Sequence, residues 1–166
     1  NGPFLANAEN TISRLFCLAK ITRDPFKTSN SRVEIDLKNG SGIWEPDVSE
    51  DGKRLYFNNL PFGNKTDLYL LIKTGQDWSS APQLVRLDTV NNPGYSDRCV
   101  SVISDEHGCD RMYFIAMRKR TSGRVYEARQ RWEPAQGCVT KDGAPVFSEP
   151  QLVPGNINDT SIISID

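Results

Sequence analysis

The chain has 166 residues, with 20 Lys and Arg against 21 Asp and Glu and a single His. That length supports one domain with a real core, and the near balance of charge argues against a nucleic acid or an anionic membrane held by bulk field. No apolar run approaches the roughly 20 residues that cross a bilayer as a helix, so no membrane partner is expected.

Short segments rich in Val, Ile, Leu, Tyr and Phe alternate with Gly, Pro, Asn and Asp, and no long helical period appears. This is an all-β pattern. At the start, Asn1-Gly2-Pro3-Phe4-Leu5-Ala6-Asn7 reads as the end of a turn and a strand. Residues 13–19 give the next strand, and Arg32-Val33-Glu34-Ile35 another. Pro46-Asp47-Val48-Ser49 then meets the turn Glu50-Asp51-Gly52-Lys53 and the strand Arg54-Leu55-Tyr56-Phe57. A tight hairpin needs positive φ, which is why a glycine stands there. Residues 67–72 form a third strand, and Pro82-Gln83-Leu84-Val85 leads into a fourth.

The order then recurs. Ser101-Val102-Ile103-Ser104 meets Asp105-Glu106-His107-Gly108, followed by Arg111-Met112-Tyr113-Phe114 and by a strand over 123–128. After a longer loop over 132–144, Pro150-Gln151-Leu152-Val153 repeats the earlier tetrapeptide. The chain closes on Ser161-Ile162-Ile163-Ser164-Ile165-Asp166, a first strand entering a turn whose remainder is at the N-terminus. Gly2, Gly52 and Gly108 thus mark one turn in three successive units.

The run Trp44-Glu45-Pro46-Asp47-Val48-Ser49-Glu50-Asp51-Gly52-Lys53-Arg54-Leu55-Tyr56-Phe57, with Asp67-Leu68-Tyr69 after it, resembles the TolB-type β-propeller repeat. The second unit departs from that pattern by inserting Glu106 and His107 before its glycine. The resemblance implies an all-β propeller of four-stranded antiparallel blades, a single domain over residues 1–166. One blade is split between the termini (1–37 with 156–166), and blades 38–90 and 91–155 are continuous. Three blades cannot close a ring of the usual four to eight, so a homodimer with six blades is expected.

In such a ring the loops entering the innermost strands open on the channel mouth. They hold Trp44, Glu45, Tyr95, Asp97, Arg98, Asn158 and Asp159. Aromatic faces beside carboxylates, amides and a guanidinium suit a sugar, whose ring stacks while its hydroxyls bond. The alternative is that Trp44 packs between blades and the acids cap turns. The expected function is a non-catalytic, lectin-like carbohydrate-binding protein. A protein-binding scaffold of TolB type and a fragment of a propeller glycoside hydrolase are the alternatives. The hydrolase would need paired carboxylates from Asp47, Asp97 and Asp159.

No cofactor is expected, since no phosphate-cradling glycine loop occurs, and no metal, since Cys-x-x-Cys is absent. Cys17, Cys99, Cys109 and Cys138 suit two disulfides, with Cys99–Cys109 across a hairpin and Cys17–Cys138 as the remaining pair; four buried thiols are the alternative. Asn64-Lys65-Thr66 and Asn158-Asp159-Thr160 are glycosylation sequons, which together with the cysteines suggest a secreted protein.

Overall fold

The computed structural model describes residues 5–6, 14–18, 32–36, 42–60, 66–76, 82–117 and 123–158. They form antiparallel β-structure with one short 3-10 turn, Asn156–Asn158. No helix among them is long and apolar enough to cross a membrane.

Three strands, β1 (Leu5–Ala6), β2 (Arg14–Leu18) and β3 (Arg32–Asp36), pair in the order β1-β2-β3. The expected fourth member of this sheet, residues 161–166, lies outside the described residues. A first four-stranded sheet follows as a meander of β4 (Gly42–Val48), β5 (Arg54–Leu60), β6 (Leu68–Ile72) and β7 (Gln83–Arg86).

The second four-stranded sheet starts in the same way, with β8 (Asp97–Ser104), β9 (Asp110–Ala116) and β10 (Arg124–Arg129). Two hairpins then intervene. One pairs β11 (Trp132–Glu133) with β12 (Gly137–Cys138), the other β13 (Thr140–Lys141) with β14 (Ala144–Pro145). The edge strand β15 (Gln151–Leu152) then adds to β10. The repeated Pro-Gln-Leu-Val thus marks the fourth strand of both sheets.

Glycines at the first hairpins sit where a side chain is strained, at φ 69° for Gly52 and 75° for Gly108. Ser49 and Asp51 complete one turn: Ser49 Oγ donates to Asp51 (2.6 Å), and Asp51 accepts the Lys53 N–H (3.0 Å). Asp105 does the same work in the other, accepting the N–H groups of His107 and Cys109, both at 2.9 Å.

The core lies between the two four-stranded sheets. Tyr56, Leu68 and Leu70 of the first meet Val102, Met112, Phe114, Ala116 and Ala128 of the second, with Leu87 and Val90 of the connecting loop wedged beside them. Within this stack β8 packs on β4 and β5. Burial differs between the sheets. In β5 the consecutive Leu55, Tyr56, Phe57 and Asn58 are all buried, so the first sheet is covered on both faces. β1 and β2 approach β4. In β9 fully buried residues alternate strictly with half-buried ones, so among the described residues the second sheet is fully covered on one face only.

The structure overturns the expected cysteine pairing. Cys109 bonds to Cys138, 29 residues on, and Cys99 is free. The register explains why. Arg98 pairs with Ile115 and Ser101 with Tyr113, so Cys99 lies opposite the far end of β9 from Cys109. Cys138 instead comes to Cys109 because β11 and β12 fold back onto the β8–β9 turn. With Cys138 so engaged, the Cys17–Cys138 pairing falls too. Cys17 lies in β2, and its side chain is outside the described residues.

Candidate functional site

The expected ligand residues that fall among the described ones belong to one end of the stack, where β4 and β8 begin. Both strands carry a β-bulge there, at Trp44/Asp47 in β4 and at Arg98/Ser101 in β8. Each bulge holds a non-glycine residue in the left-handed region, Glu45 at φ 50° and Cys99 at φ 55°. Such a conformation costs about 1–3 kcal/mol and needs surrounding contacts to hold it.

Those contacts join the two bulges to each other. Glu45 Oε2 accepts the Cys99 backbone N–H at 2.7 Å, and the Cys99 thiol donates to Oε1 at 3.1 Å. The amide of buried Asn58, with its nitrogen toward the acceptors, donates to Glu45 Oε2 (2.8 Å) and to the Trp44 carbonyl (3.0 Å). Two residues along, Asp47 accepts the N–H groups of Val48 (2.9 Å) and of Val102 in the second sheet (2.8 Å). Burial pushes the Cys99 thiol up to about 11, with the hydrogen bond to Glu45 and its charge adding to the shift and Arg98 opposing it. A thiol so held is a poor nucleophile.

Asp97 is fully buried and accepts the Asn92 N–H (3.0 Å), tying down the loop before β8. Asn158 spends its whole amide on the backbone. Its Oδ1 accepts the Val125 N–H (2.7 Å), and its Nδ2 donates to the carbonyls of Val125 (3.2 Å) and Val153 (2.7 Å). Buried Asn91 does the same in the first sheet, bonding both the N–H (2.7 Å) and the carbonyl (2.9 Å) of Leu68. Four nominated residues keep open surface or spare capacity: Trp44 is 50 % exposed, Glu45 is exposed although both its oxygens accept hydrogen bonds, Tyr95 is 40 % exposed, and Arg98 is half-buried with an Nε that meets no acceptor. Asn64 and Asp159 lie outside the described residues.

The glycosidase alternative needs a pair of free carboxylates. Asp47 and Asp97 both serve backbone amides of their own fold, and Asp159, the third acid this reading would use, lies outside the described residues.

The opposite end carries a second polar constellation that strand patterning does not announce. Asp110 is buried at the start of β9 and is held by the first sheet. Arg54 Nε lies 2.6 Å from Asp110 Oδ2, Arg54 Nη2 donates to Oδ1 at 3.0 Å, and the Tyr56 hydroxyl donates to Oδ2. Burial beside this carboxylate pushes the Tyr56 hydroxyl far up, so it stays a donor. The Asp110 N–H is met by Gln130 Oε1 (3.0 Å). Nearby, exposed His107 stacks on Trp132, with ring centroids 4.3 Å apart and planes at 14°. With the disulfide, this pair fastens the inserted hairpin to the β8–β9 turn.

Two sequence signals could have revealed these residues. Val90-Asn91 and Ile157-Asn158 follow the repeated tetrapeptide at nearly the same distance. Arg54-Leu55-Tyr56 and Arg111-Met112-Tyr113 follow the two turn glycines. A depression of about 250 Å³ is lined by Asp88, Asn92, Pro93, Glu149 and Pro150 among others, and none of the nominated ligand residues borders it. Comparison of the chain with family models, with curated proteins and with solved structures gives no match.

Proposed function

We propose that the chain is a non-catalytic binding protein of β-propeller type, in which the two four-stranded sheets are successive blades and the end bearing the bulges is the ligand face. Each sheet is an antiparallel meander, and β8 lies against β4 and β5, as inner strands do when blades fan out from an axis. The TolB-type resemblance of residues 44–57 favours the same architecture.

The observation that carries the binding reading is the division of labour at the bulges. Glu45, Asp97 and Asn158 are occupied in holding backbone, while Trp44 and Tyr95 stand open at the end of the stack where Arg98 also lies. Two aromatic faces and a guanidinium suit the ring and hydroxyls of a sugar. The disulfide favours an extracellular setting. A glycan array is the direct test. Saturable binding that is lost in Trp44→Ala and Tyr95→Ala supports a lectin. Silence across a broad array removes the sugar and leaves the scaffold reading, which the open face of the second sheet favours.

A further inference from the structure

The face of the second sheet turned away from the core is one continuous surface. Register sets Ile103 opposite Arg111, Tyr113 opposite both Ser101 and Glu127, and Ile115 opposite both Arg98 and Val125. Ile103 is 47 % exposed there, and Arg111, Tyr113, Ile115 and Val125 are half-buried.

This face repeats a device that is already filled one sheet earlier. Val48 pairs with Leu55 as Val102 pairs with Met112, and Asp47 pairs with Tyr56 as Ser101 pairs with Tyr113. Arg54 and Tyr56 therefore correspond to Arg111 and Tyr113. The first pair closes on buried Asp110 of the following sheet. The second pair stands in the same places, and among the described residues no sheet lies upon it. Arg111 Nη2 bonds Glu127 at 2.9 Å, and its guanidinium lies over the Tyr113 ring, 5.2 Å from the centroid. Its Nε is buried and, like the Nε of Arg54, has no aligned hydrogen-bond acceptor, but Arg54 Nε also has the Asp110 carboxylate 2.6 Å away.

We infer that Arg111 and Tyr113 are the anchor at which a second copy of this chain docks, laying a carboxylate-bearing surface over the open face of the second sheet. The inference rests on the reading of the sheets as blades. Charge selects the mode of docking. Arg98, Arg111 and Arg129 outnumber Glu127 on this face, whereas the whole chain carries a net charge of −1, so the rest of a second copy is acidic. Meeting the same face of its partner would oppose like charges. Docking is therefore head to tail, and it ends in a ring when the rotation closes.

Sedimentation equilibrium of the wild type, Arg111→Glu and Tyr113→Ala tests this. The wild type should associate at tens of micromolar, and Arg111→Glu should weaken association by about 100-fold or more while the far-ultraviolet circular dichroism of the dissociated chain keeps its β-sheet form. A mass of two or more chains that both variants dissolve supports the inference. A wild-type monomer up to about 100 µM overturns it and leaves the face to a different protein, and so does a mass that neither variant changes. Arg54→Ala in the same series separates this from the underlying reading. If its urea midpoint falls while the wild type is monomeric, the stacking stands and the docking fails. If its midpoint does not move, the stacking of the sheets is itself wrong.

Discussion

Asp110→Ala tests the joint between the two sheets. Removing this carboxylate leaves the Arg54 guanidinium and the Tyr56 hydroxyl facing a site that is closed to water, since the Asp110 side chain is 1 % exposed. Stripping one partner from a fully buried ion pair costs about 3–5 kcal/mol. Arg54 is 19 % exposed and keeps Asp51 at 3.3 Å, so some of its charge remains compensated. The expected loss is therefore at the lower end, about 3 kcal/mol, including an orphaned Tyr56 hydroxyl worth about 1 kcal/mol. With a urea slope of about 2 kcal/mol/M, the midpoint falls by about 1.5 M with the slope unchanged. A double-mutant cycle with Arg54→Ala isolates the contact, and a coupling of about 1–3 kcal/mol is expected for residues that touch. A single-variant loss under about 0.5 kcal/mol, or a coupling indistinguishable from zero, would refute the reasoning: such values belong to surface substitutions.

Three further expectations concern the remaining polar contacts. Expressed in a glycosylating host, Asn158 should stay bare, because its Nδ2 is committed to two carbonyls; a fully occupied site in the intact-mass spectrum of folded protein contradicts this arrangement. Cys138→Ser should lower stability by about 3–4 kcal/mol, from the entropy of opening a loop that spans 29 residues; an unchanged thermal midpoint would count against the bridge. At pH 8 the Cys99 peptide should be alkylated about 100-fold more slowly in folded protein than in urea, since a thiol at about 11 is almost wholly protonated there. The native state then keeps a proton that the unfolded chain releases, so this thiol's contribution to stability is lost between about pH 9 and 11. Equal alkylation rates in the two states would contradict the Glu45 contact.

The strands and their order were open to inspection in the sequence because they rest on local chemistry. Turn glycines Gly52 and Gly108 require positive φ, and apolar runs such as Leu68–Ile72 need a sheet to bury them. The repeated Pro-Gln-Leu-Val correctly marked the fourth strands. Less legible were contacts that strand patterning does not encode, within loops and between elements distant in sequence. Asp97 resembles a ligand residue in sequence, yet it faces inward and holds a loop. Glu45 stands beside an aromatic as a sugar-binding acid would, yet its charge meets an amide in the neighbouring sheet. Cys138 found Cys109 only because the inserted hairpins fold back, and nothing in the spacing encodes that turn. Asn91 escaped notice for the same reason, since its partner Leu68 is 23 residues earlier.

The paired asparagines have a consequence for how such a chain is assembled. Asn91 returns the outgoing chain to β6, and Asn158 returns it to β10, each touching the third strand of the sheet just left. A unit therefore seals its own exit before the next one starts. The closing contacts span 23 and 33 residues, short enough to form before the later sheet exists. Copied whole, from first strand to closing amide, such a segment brings its fastening along, and a chain of these modules can lengthen without a new joint having to be devised at each step.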